Sequence, residues 1–118
     1  MVFKFDTDQA RQMELGSFKN KSGSSTQGQM DAVYDFVGNA NGTLRVGVWE
    51  CTPGCFVSER TTTEIFEVLK GSATLIGADG TRTDVKPGDH AVTPKGWKGE
   101  WIVHETIRKI FIVHPEAA

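Results

Sequence analysis

A chain of 118 residues, with 13 basic and 15 acidic side chains, a formal net charge of -2 and a pI near 5.9, has room for one domain with a real core and none for a second. The mild acidity excludes a general nucleic-acid or anionic-membrane binder, because phosphate affinity needs a basic surface. No run approaches the roughly 18 apolar residues of a membrane span, and the start lacks a basic stretch followed by an apolar signal core, so a cytoplasmic protein is expected.

In chain order, residues 1–32 are polar, and 16–29 are rich in Gly, Ser, Asn and Gln, with few side chains suited to a core. This part is expected to be an arm, partly flexible, with one or two helical turns over 8–15 capped by Asp8. From residue 33 the pattern changes to short β-rich runs divided by turn residues. Strands are predicted over 33–37, 44–50, 55–60, 64–70, 73–76, 81–85, 90–93, 99–103 and 106–113. Turn chemistry separates them, most clearly Asp79-Gly80, which predicts a tight primed hairpin because Asp and Gly tolerate positive φ. The fold class is therefore all-β, a sandwich or barrel over 33–118. Cys51 and Cys55 are the only cysteines, and two sulfurs cannot fill a tetrahedral zinc site, so ordinary buried thiols are expected.

Glu64 stands seven residues before Gly71, and Gly88 six before Pro94-Lys95-Gly96-Trp97-Lys98-Gly99-Glu100-Trp101. With Gly47-Val48-Trp49, Pro53-Gly54 and Pro87-Gly88-Asp89, this pattern resembles the two motifs of the cupin superfamily. Within that superfamily it is similar to the small single-domain subgroup related to ureidoglycine aminohydrolase and the ethanolamine-utilisation cupins, over roughly residues 38–114. The resemblance implies a double-stranded β-helix, or jelly-roll barrel, with its site in a lumen open at one end. It also implies a metal held by two histidines ahead of the glutamate and a third after the Pro-x-Gly turn. Here those positions read Ser58, Arg60 and Gly99, and only Glu64 remains of four ligands. One carboxylate is a poor transition-metal site, so no metal and no other cofactor is expected. His90, His104 and His114 fall outside the ligand positions.

Alternation along strands puts Ser58 with Arg60 on one face, and Trp97 with Gly99 and Trp101 on another. If the family register holds, both face the lumen, with Glu64 and Phe66 on the neighbouring strand and Trp49 with Cys51 at the floor. The expected result is a pocket with an Arg60–Glu64 pair and aromatic walls from Trp49, Phe66, Trp97 and Trp101, a mostly apolar site with a few polar groups. Arg60 suits bidentate contact with a carboxylate or phosphate, or simple neutralisation of Glu64. Glu64 suits a general base, the tryptophans suit stacking or core packing, and Gly99 leaves volume for a substrate group. Three functions follow. The first is a metal-independent acid-base enzyme on a small anionic metabolite, of hydrolase or isomerase type, with Glu64 and Arg60 catalytic. The second is a non-catalytic ligand-binding cupin. The third is a metal-dependent, ureidoglycine aminohydrolase-like hydrolase with an atypical ligand set drawn from Glu64, a histidine and a cysteine. Exposed strand edges and the arm suggest a homodimer.

Overall fold

A computed structural model describes residues 2–114; the last residues of the predicted barrel, 115–118, lie outside the described residues. The chain opens with a short helix, α1 (Thr7–Gln12), followed by β1 (Lys19–Asn20), β2 (Met30–Gly38), β3 (Arg45–Cys51) and β4 (Gly54–Glu59). Four more strands follow: β5 (Thr63–Gly77), β6 (Arg82–Val85), β7 (His90–Thr93) and β8 (Lys98–His114). All pairings are antiparallel.

Two strands do the work of four. The runs predicted over 64–70 and 73–76 form one strand, β5, and those over 99–103 and 106–113 form one strand, β8. Both bend midway. The first half of β5 pairs with the second half of β8 and with β7, while its second half pairs with the first half of β8 and with β6. Strands β3 and β4 pair with opposite halves of β8, so two sheets face each other across one interior. The bend in β5 sits at Gly71, at φ 81°, between register shifts that add twist to the ladder. A Cβ there would run into the Thr106 carbonyl, so the backbones approach through a gap that only glycine leaves. This is the all-β jelly roll expected from the sequence.

The β-branched and aromatic content of β5 and β8 explains their length, and their alternation divides the molecule into two cores. Inside the barrel, Phe56, Phe66, Val68, Leu75, Trp101, Ile107 and Phe111 form the main cluster. Outside, Ala32, Val48 and Leu69 are covered by Ala10 and Leu15, with Phe5, Met13 and Phe36 packed alongside. Residues of the arm therefore bury apolar surface on the outer face of the sheet. The helix cap is Asp6 rather than Asp8: its side chain accepts the Gln9 amide at 2.8 Å while the Gln9 side chain accepts the Asp6 amide at 2.9 Å. Arg108, also on the outer face, donates from Nη1 to the carbonyls of Ala10, Arg11 and Met13 and from Nε to Glu50. It closes the C-terminal end of α1 against the barrel.

The Asp79-Gly80 hairpin exists, but not as a two-residue primed turn. Only Gly80 has positive φ, Gly77 bonds to both Gly80 and Thr81, and Asp79 accepts the Thr81 amide. That pattern is a three-residue loop ending in a left-handed glycine. His104 and His114 both lie on β8.

Candidate functional site

The interior contains a cavity of about 270 Å³ bounded by β2, β3, β4, β5, β7 and β8. Of the residues expected there from sequence, Trp49, Ser58, Arg60, Glu64 and Trp101 line it. Phe66 lies behind the lining, its ring 5.3 Å from that of Trp101. Cys51 is fully buried in the core, where desolvation first and Asp31 second push its thiol up to about 12, leaving it protonated and inert.

The expected Arg60–Glu64 pair does not form. Glu64 Oε1 instead accepts a hydrogen bond from Lys109 Nζ at 2.8 Å, both side chains being about nine-tenths buried. Lys109 comes from the middle of β8, where it faces Trp49 across the β3 ladder. Its Nζ sits 4.5 Å from the ring centroids of Trp49 and Trp101 and 4.6 Å from that of Phe66. Three aromatic faces and one carboxylate thus surround a single amine, an arrangement that stabilises a cation. Desolvation acts the other way and prevails, holding the Lys109 pKa below its ordinary value; Arg60 and Lys21 push in the same direction and Glu64 opposes them. Sequence reasoning missed this lysine. Its signal was the alternation of Ile107, Lys109 and Phe111, which puts the amine on the same face as two core side chains.

The other charges at the cavity are mostly paired. Arg45 forms a fork on Asp35 at 2.9 and 3.1 Å, and Asp31 accepts from Trp49 Nε1 at 2.9 Å with Lys21 3.9 Å away. Arg60 differs. It donates to the Thr62 carbonyl and hydroxyl and has no carboxylate partner among the described residues. Thr93, beside Glu64 in the ladder between β5 and β7, also lines the cavity, and its buried hydroxyl has no hydrogen-bond partner among the described residues. A buried hydroxyl left open is a point at which a ligand atom gains a hydrogen bond.

Trp97 and Gly99 fall elsewhere than expected. Gly99 pairs with Gly77 across the ladder, and the indole of Trp97 lies over both α-carbons. Its edge fills the volume that a side chain at Gly99 would take, so that position is closed by tryptophan rather than open to substrate. Trp97 packs against the core and is not part of the cavity wall. Lys98 is exposed beside Glu59, and Tyr34 lies exposed against Phe36 on the outer face.

The residues do not fit a cupin metal. Glu64, the one ligand type retained, already carries the Lys109 ammonium, and the histidine positions present a hydroxyl, a guanidinium and a glycine occupied by indole. Among the described residues, no group of three His, Cys, Asp or Glu converges as a metal site. An ammonium sits on the carboxylate that the resemblance would assign to a metal ion.

A jelly roll with this lumen defines a small cupin. The chain belongs to the EutQ-like cupin domain family, whose profile matches residues 38–111. Its fold is similar to that of the Clostridium difficile EutQ protein, at 22% identity and TM-score 0.66 over 78% of this chain and 73% of that one. It is also similar to an ethanolamine utilization protein Q structure from Salmonella typhimurium LT2, at 22% identity and TM-score 0.69 over 85% and 80%. The cupin domain of Schizosaccharomyces pombe Cnp3 shares the fold at 14% identity and TM-score 0.62 over 77% and 67%. No curated protein matches the sequence.

Proposed function

We propose that the lumen binds a small anionic metabolite, with Arg60 as its anchor. The observation that carries this reading is the inequality among the cavity's charges: Lys21, Arg45 and Lys109 each have a carboxylate, and Arg60 has none among the described residues. A planar guanidinium held at a cavity wall by Thr62 keeps donors available for a carboxylate or phosphate. The cavity volume is just below the roughly 300 Å³ at which drug-sized pockets begin, which suits a metabolite of few atoms.

The test is a thermal-shift screen of carboxylates, ureido compounds, sugar acids and phosphosugars, followed by calorimetric titration of the hits. Arg60→Ala is expected to weaken binding by about 1.5–3 kcal/mol, roughly tenfold to 150-fold. Hits that bind Arg60→Ala as tightly as the parent would defeat the reading. A second reading, acid-base catalysis at Glu64, draws support from the single hydrogen bond that joins Glu64 to Lys109 at the cavity wall. Under it, Glu64→Gln abolishes turnover of a bound metabolite while affinity changes by less than about tenfold.

A further inference from the structure

The anion reading leaves the buried amine of Lys109 without a task. An amine used only as a structural counter-ion has no need to line a cavity, yet Lys109 does so on a carboxylate, in a lumen that also holds a hydroxyl with no partner among the described residues. A lysine becomes a nucleophile when it is desolvated or placed near other cations, because both favour the neutral amine. Both conditions are met here, the neighbouring cations being Arg60 and Lys21.

We infer that Lys109 is a carbonyl-trapping residue that forms an imine with a short 2-oxo acid whose carboxylate is held by Arg60. The inference rests on the anion reading of the same cavity. The steps balance without any oxidant or reductant. Lys109 gives one proton to Glu64, and the neutral Nζ attacks the carbonyl carbon of the ligand. A proton passes from nitrogen to the former carbonyl oxygen, giving a carbinolamine whose hydroxyl meets the free Thr93 Oγ1. Glu64 then returns its proton to that hydroxyl, which leaves as water as the nitrogen lone pair closes the C=N bond. The product is an iminium cation next to a Glu64 carboxylate. The faces of Trp49, Phe66 and Trp101 that surround the ammonium are placed to stabilise this cation as well.

The full chain, incubated with glyoxylate or pyruvate and then with cyanoborohydride, tests this by intact mass and peptide mapping. A single reduced adduct at Lys109 is expected, absent from Lys109→Arg, which keeps the charge, and from Lys109→Met. Arg60→Ala, and replacement of the oxo acid by an uncharged aldehyde, should each slow adduct formation about tenfold or more. Adducts confined to exposed lysines such as Lys95 and Lys98, in protein that still binds anions through Arg60, would overturn the imine and leave the anion reading intact. A Lys109 adduct formed at full rate in Arg60→Ala would support the imine and remove Arg60 from it, and the anion reading would fall instead.

Discussion

Lys109 Nζ lies 2.8 Å from Glu64 Oε1 inside a ring of three aromatic faces, so the lumen of this cupin carries its own cation. The pair joins the two longest strands, and its energetics are those of a buried ion pair. Desolvation of each charge costs several kcal/mol, and mutual attraction with the aromatic faces offsets that cost only while both partners are present. Lys109→Met alone is therefore expected to cost about 3–5 kcal/mol in urea unfolding, since it strands the Glu64 carboxylate. The double variant Lys109→Met/Glu64→Gln should regain most of that loss. A double variant no more stable than the single one would show that the pair is not the unit of stability.

The same pair sets a pH dependence. The folded Lys109 pKa is depressed below 10.5, the value for a free lysine. Between the depressed value and 10.5, the unfolded chain holds a proton that the folded chain tends to lack. Stability then rises with pH across that window and levels off above it. Each pH unit of the window is worth about 1.4 kcal/mol. Urea midpoints of the parent, compared with those of the double variant, should diverge in the parent's favour as pH is raised toward 10.5. A difference that stays flat or falls with pH would mean that burial does not depress this lysine.

Arg108, next to Lys109 in sequence, points to the other face and ties the arm down. One guanidinium nitrogen serves three carbonyls at the end of α1, which no other described side chain bonds. Arg108→Met is expected to cost about 2 kcal/mol and to raise amide hydrogen exchange over residues 10–15, while exchange in β5 stays slow. Arg108→Lys keeps the charge but not the fork, and should recover only part of the protection. Unchanged exchange in Arg108→Met would mean that the apolar contacts of Ala10 and Leu15 hold the arm by themselves.

These adjacent residues show what the sequence carried and what it did not. Alternation and turn chemistry located the strands, and the jelly roll was implied by the resemblance of the Glu64–Gly71 and Gly88–Pro94 pattern to the cupin motifs, whose two glycines both take positive φ here. Continuity through Gly71 was not legible, since a glycine in a β-rich run reads as a break whether the strand stops or bends. The Arg60–Glu64 pair was inferred from two charges on neighbouring strands. Which cation reaches Glu64 depends on β8, more than 40 residues later, and Arg108-Lys109 reads locally as a polar interruption of an apolar run. Trp97 was placed in the lumen by counting in twos from Trp101, but it precedes β8 and its ring turns back over Gly99.

That tryptophan closes a gap between two glycines. Gly77 and Gly99 form a cross-strand pair with no side chains, and the Trp97 ring occupies the space above them. A methyl group at Gly99 would meet the Ile76 carbonyl as well as the ring carbons of Trp97, so it displaces backbone as well as a movable side chain. Gly99→Ala is expected to cost about 1–3 kcal/mol, the range for forcing an extra carbon into packed space, with loss of the near-ultraviolet signal of an ordered indole. Trp97→Ala removes the obstacle from the ring but not from the carbonyl, so the double variant should recover part of the Gly99→Ala loss and no more. Because Trp97 is outside the cavity wall, Trp97→Phe should leave anion affinity within about twofold, well under 1 kcal/mol, whereas Trp101→Phe, altering a ring that faces Lys109, should not. An equal loss of affinity in both variants would return Trp97 to the site and require a second wall to the lumen.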